Sequence, residues 1–178
     1  MEDDELTTVT GVTTNGEVDD EAQGALLDNL KQLRTEATNL YGENKVMEVP
    51  GYQGLLAIEY QYISSEVTEA IGRDVRRETK NVNGIGSGLL ASIDTLIAAS
   101  KNVLIRSNVH HEWRPINKNK QVNFKSLEMS RILEYPADDS REVVLGLYGS
   151  EHKVIEANII LSRWMTDKTR TADEDFLG

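Results

Sequence analysis

The chain has no cysteine, so it can build neither a disulfide framework nor a thiolate metal site. It has no apolar run approaching the roughly 18 residues of a membrane helix. Its opening, MEDDELTTVT, is acidic where a secretory signal is basic and then apolar, and a cytoplasmic protein is expected. Bases are missing from both ends. Residues 1–21 carry eight acids and no Lys or Arg, and residues 171–178 carry three acids and none. The 19 acids of residues 22–170 are matched by all 19 bases, so the net charge of -11 belongs to the ends and the body is neutral. Acidic ends on a neutral body give no attraction for a phosphate backbone, and nucleic acid is not the expected partner.

Catalytic motifs are missing as well. The glycine-rich GIGSG of residues 84–88 precedes a helical pattern, as a phosphate loop does. No Gly-x-x-x-x-Gly-Lys-Ser/Thr spacing accompanies it, and the dinucleotide pattern would need its third glycine where Leu89 stands. A flexible connector, with Ser87 capping the next helix, is expected instead. His110 and His111 are adjacent and point apart if extended, and no His-Glu-x-x-His occurs. Gly-x-Ser-x-Gly is absent too. Asp94 is the one acid expected near the core, bonded to a neighbouring backbone group or hydroxyl. The chain is therefore expected to have no catalytic residue, metal or cofactor, and to bind or assemble rather than catalyse.

What is there is periodic. Residues 21–40 place Ala22, Leu26, Leu30, Leu33, Ala37 and Leu40 at threes and fours, a helical stripe. Pro50-Gly51 marks a turn, after which Leu56, Ile58, Tyr60 and Tyr62 alternate with Ala57, Glu59 and Gln61. That is a half-buried strand, with residues 46–49 as its hairpin partner. Ser64 or Ser65 caps a helix that turns Val67, Ile71 and Val75 inward and carries a basic run, Arg73, Arg76, Arg77 and Lys80, on its other face. Residues 89–105, LLASIDTLIAASKNVLI, are apolar on more than one stripe and predict a central buried helix.

Residues 111–126, HEWRPINKNKQVNFKS, mix Trp113, Ile116, Val122 and Phe124 with turn formers and predict a small hairpin or an ordered loop, the most basic loop of the chain. Three helical patterns follow: SLEMSRILEY; DDSREVVLGLYG, with Val143, Val144, Leu147 and Tyr148 inward and Gly149 breaking it; and SEHKVIEANIILSRWMTD, capped by Ser150. The expected fold is α+β and mostly α-helical, a single small domain with one or two short β-hairpins. Its organisation is read as a disordered acidic segment over residues 1–20, a mainly helical domain over 21–168 and an acidic tail over 169–178.

Three stretches taken in order, GLLAIEYQYISSEV, LLASIDTLIAASKNVLIR and REVVLGLYGSEHKVIEANIILSRWMTDKTRTADEDFLG, resemble tail assembly chaperones of long-tailed, siphovirus-type phages of actinobacteria. The resemblance spans residues 45–178 and is carried by residues 89–99, residues 141–149, Trp164-Met165 and residues 173–178. One departure is Ser100, where that family more often has cysteine.

The resemblance implies a non-enzymatic chaperone of the host cytoplasm, absent from the mature virion. It would bind the helical, aggregation-prone tape measure protein while tail tube subunits polymerise around it. Such genes often use ribosomal frameshifting near their end, and the longer form is thought to recruit tail tube protein; TADEDFLG looks like that junction. A homo-oligomer is compatible with this role, and no membrane is involved. Apolar residues that would meet a tape measure helix are Leu26, Leu30, Leu33, Trp113, Trp164, Met165, Phe176 and Leu177. Two alternatives stay open. One is a structural head–tail connector or tail completion protein of the virion. The other is a nucleic-acid adaptor using Arg73, Arg76, Arg77 and the loop from Arg114 to Lys125.

Overall fold

The structure, a computed structural model, describes residues 24, 27–32, 42–80, 86–107, 109, 111–136 and 139–177, without the side chains of 172–177. The chain divides into two compact units, Met1–Thr38 and Asn39–Gly178. In the first, residues 27–32 are helical, with Lys31 paired to Asp28 at 3.0 Å. The rest of the helix expected over 21–40, and the segment 1–20 expected to be disordered, lie outside the described residues.

The second unit runs β1 (Lys45–Glu48), β2 (Leu56–Tyr60), α1 (Ser65–Thr79), α2 (Ser87–Ala99), β3 (Ser100–Ile105), β4 (Arg114–Pro115), α3 (Leu127–Ile132), α4 (Ser140–Tyr148) and α5 (Glu151–Leu177). It is the mostly helical α+β fold expected, built on one antiparallel sheet of order β1-β2-β3-β4. The alternation read over residues 46–62 forms the expected hairpin, with Met47 opposite Ile58 and Lys45 opposite Tyr60. Its turn needs left-handed backbone at Gly51 (φ 96°) and Gly54 (φ 71°), where glycine carries no Cβ penalty.

Residues 89–105 are not one helix. α2 ends at Ala99, and β3 begins at Ser100. A stretch that is apolar on more than one stripe has no clear period to separate a buried helix from a buried strand. The break is encoded by two small polar residues. Ser100 Oγ donates to Ile97 O at 2.9 Å and accepts from Phe124 N at 3.4 Å. Asn102 Oδ1 accepts from Val122 N at 3.2 Å. The loop before α3 is thereby stitched along β3, which explains why residues 113–124 form one short strand and an ordered loop. The cap expected from Ser87 is also different: Gly86 stands at the N-cap, without a side-chain bond, and Ser87 is the first helical residue. α5 extends past Asp167 to Leu177, with no proline or glycine between 151 and 177 to stop it.

One sheet face, with Met47, Ile58, Tyr60 and Val103, packs against Leu96 of α2, Val144 and Tyr148 of α4 and Leu161 of α5. Each such side chain contributes ~1.5–3 kcal/mol when fully buried. Two polar ties hold this core, one inside it and one at its edge. Tyr60 and Tyr148 share a buried hydroxyl–hydroxyl hydrogen bond of 2.8 Å between sheet and helices. Arg141 of α4 reaches Asp94 of α2 through Nε (2.8 Å) and Nη2 (2.7 Å), and Glu78 of α1 through Nη1 (2.7 Å) and Nη2 (2.9 Å). Two fork-shaped contacts from one guanidinium hold three helices together. Asp94 thus bonds to a distant cation, not to the neighbouring backbone group or hydroxyl expected.

Tyr60→Phe and Tyr148→Phe each leave the other hydroxyl buried without a partner and are expected to lower stability by about 1–3 kcal/mol. The double Phe variant is expected to lose much less than the sum. Urea titration of all three checks this, and strictly additive losses would contradict the pairing. Burial, then the neighbouring Tyr148, hold the Tyr60 phenol well above its ordinary range, while burial pushes Tyr148 up to about 12. Unfolded tyrosines ionise near pH ~10. Stability is therefore fully present below that pH and drains away as pH rises through the folded values. The double Phe variant is expected to withstand alkali better than the parent.

Arg141 lowers the Glu78 carboxyl, through its hydrogen bonds first and its charge second. The stability this gives is present above the unfolded carboxyl's pKa and lost as pH falls through the lowered folded one. Arg141→Met is expected to reduce the urea midpoint more than Glu78→Gln, because it also strips the better-buried Asp94 of its cation. Equal losses would count against the fork as a single three-helix tie.

Candidate functional site

The sheet face that meets the helices is not covered to its end. Tyr52 and Leu55 come from the β1–β2 turn, Leu56 from β2, Val103 and Ile105 from β3, and Ile116 follows β4. Met129, Ile132 and Leu133 come from α3 and its end, and Leu147 from α4. Together they line a groove of about 260 Å³. Val103, Met129 and Leu147 form a buried floor. Tyr52 (36% exposed), Ile105 (42%) and Ile132 (57%) form an open apolar rim. Among the described residues, no lining side chain apart from the Tyr52 hydroxyl offers a hydrogen bond. The groove can take apolar surface out of water, at ~25 cal/mol per Å², but it offers nothing to activate a bond.

Local sequence sets this shape. α3 has only six residues. It ends where Glu134 turns left-handed (φ 60°) and Tyr135 N bonds back to Ser130 O at 2.8 Å. The Tyr135 ring then lies on α4 where Gly146 has no side chain, and a Cβ there would run into it. α3 is thus held close to α4 but is too short to reach over Leu56 and Ile105. On the other side, Arg106 pairs with Glu48 at 2.8 Å, bonds Gly54 O and stacks 4.4 Å over Trp113. A Cβ at Gly54 would come within 2.7 Å of Arg106 Nη2, so this glycine lets the guanidinium pin the turn that carries Tyr52.

The residues singled out from the sequence are spread elsewhere. Trp113 is half-buried beneath Arg106. Met165 is buried in the core, with Trp164 half-buried against it. Leu30 is exposed in the first unit, and Leu26 and Leu33 lie outside the described residues. The helix includes Phe176 and Leu177, whose side chains lie outside the described residues too. Trp113, Trp164 and Met165 do not line the groove. Its signals were Tyr52 with Leu55 in a turn that would ordinarily be polar, and Ile132-Leu133, adjacent apolar residues that a short helix cannot both bury.

The basic run on α1 is partly paired, Arg73 to Glu69 at 3.8 Å and Arg77 to Asp74 at 3.6 Å. In the basic loop, Lys120 meets Glu128 at 2.9 Å. Among the described residues no three His, Asp or Glu side chains are grouped to hold a metal ion, and no helix is long and apolar enough to cross a membrane. The groups with displaced pKa values, Tyr60, Tyr148, Glu78 and Arg141, belong to the two ties described above and not to the groove. The chain matches no protein-family model, no curated protein and no solved structure.

Proposed function

We propose that this chain is a non-enzymatic tail assembly chaperone of a long-tailed phage, and that the groove between α3 and the sheet receives an apolar helix face of the tape measure protein. The observation that carries the binding reading is the groove's lining. It is apolar, with an exposed rim of Tyr52, Ile105 and Ile132, which suits the spaced apolar anchors of an amphipathic helix. The phage reading rests on the resemblance of residues 45–178. On this proposal the chain works in the host cytoplasm and leaves before the virion is complete. Tail tube protein is recruited through a longer, frameshifted form.

A second reading, a ring-forming head–tail connector or tail completion protein, draws on another observation. Ile155, Ile159 and Ile160 of α5 are exposed and offer an apolar face to a second copy. Light scattering of the chain alone separates the two: a closed oligomer of defined size favours the connector.

Co-expression with the tape measure protein tests the proposal. The parent chain is expected to raise that protein's soluble yield. Ile105→Asp with Ile132→Asp, both on the exposed rim, is expected to abolish most of the gain and weaken binding at least ~tenfold, with an unchanged circular dichroism spectrum. Ile155→Asp with Ile159→Asp is expected to keep it. A groove variant as effective as the parent would contradict the proposal.

A further inference from the structure

A second concavity differs in chemistry. It has a volume of about 240 Å³ and lies between the end of α1, the start of α2, α4 and the first turn of α5. Leu89, Leu90, Ile93 and Leu145 supply its apolar surface, and four carboxylates, Glu78, Asp139, Glu142 and Glu151, also line it. Among the described residues its one basic lining residue is Arg141, whose guanidinium is occupied by Glu78 and Asp94. Asp139 turns Oδ1 to Glu142 N at 3.0 Å, capping α4. Among the described residues, Asp139, Glu142 and Glu151 have no salt-bridge partner.

An apolar pocket with surplus negative charge selects an occupant with an apolar group and a cation a few ångströms apart. The volume is below the roughly 300–1,000 Å³ of small-molecule sites, which fits a protruding side chain better than a free metabolite. The lining comes from helices and the cap of α4, and helices have no open strand edge to pair with an extended peptide. The occupant's backbone must satisfy its own hydrogen bonds, as a helix does.

We propose that this pocket docks a basic amphipathic helix of a partner protein. A leucine-like side chain sits on Leu89, Ile93 and Leu145, and a Lys or Arg three or four positions along reaches Glu142 and Glu151. The pocket shares no residue with the groove between α3 and the sheet, so the proposal stands or falls apart from the chaperone reading.

The test uses the full chain and a fluorescein-labelled, 14-residue amphipathic peptide of Leu and Lys, with a Leu/Glu peptide of the same pattern for comparison. Fluorescence anisotropy is read at low and at physiological salt. The parent is expected to bind the Leu/Lys peptide and not the Leu/Glu one. Glu142→Lys with Glu151→Lys is expected to weaken binding at least ~tenfold. Glu112→Lys with Glu156→Lys makes the same change in net charge away from the pocket and is expected to stay within ~twofold. Glu142→Gln with Glu151→Gln, expected to lose about half as much on a logarithmic scale, serves if the lysine variant does not fold. Equal weakening by the pocket and remote lysine pairs would overturn the proposal as diffuse attraction, and no weakening by either pocket pair would overturn it outright.

Discussion

A small antiparallel sheet presents one apolar face that its helices must cover, and here the cover falls short at one end. α2, α4 and α5 lie over Ile58, Tyr60 and Val103, but α3 stops after six residues. The strand ends at Leu56 and Ile105 therefore keep an open side. Burying Ile105 or Ile132 fully is worth ~1.5–3 kcal/mol each, and at 42% and 57% exposure the isolated chain leaves part of that energy unused. A partner that supplies apolar surface there can gain it, and the proposal that the groove is a receptor follows from this shortfall.

For the groove to act as a receptor it must hold its shape. The Tyr60–Tyr148 pair locks sheet to helices inside the core. Arg141 locks α1, α2 and α4 to each other at the edge. Arg106 pins the β1–β2 turn against β3 through Glu48, Gly54 and Trp113. None of these ties uses a residue that lines the groove, so its walls are set before a partner arrives and less ordering is needed on binding. They also explain the displaced tyrosine, glutamate and arginine pKa values without invoking chemistry.

Much of the architecture was legible wherever the pattern had a period. The alternation through Ile58 and Tyr60 predicted the hairpin, and the three- and fourfold spacing of Val143, Val144, Leu147 and Tyr148 predicted α4. Reading failed where the period vanished. LLASIDTLIAASKNVLI is apolar on more than one stripe, and the switch to a strand at Ser100 depends on bonds to Ile97, Phe124 and Val122, two of which come from residues twenty or more positions away. Asp94 was picked out as a core acid, but its partner Arg141 lies 47 residues on, and sequence carries no sign of that pairing. The groove was hidden for the same reason. Its walls come from five separate stretches, and exposed apolar residues look like core residues until the fold decides which are covered. Trp113 and Met165 drew notice by residue type, yet one props an arginine and the other fills the core.

The two concavities suit different faces of helical partners, one wholly apolar and one apolar with a cation. Methyl-resolved NMR of the chain titrated with soluble helical fragments of the tape measure protein would locate the contact. Shifts concentrated at Leu55, Ile105, Ile116, Ile132 and Leu133 are the expected result. Shifts confined to Ile155, Ile159 and Ile160 of α5, with the groove methyls unmoved, would contradict the groove as the receptor.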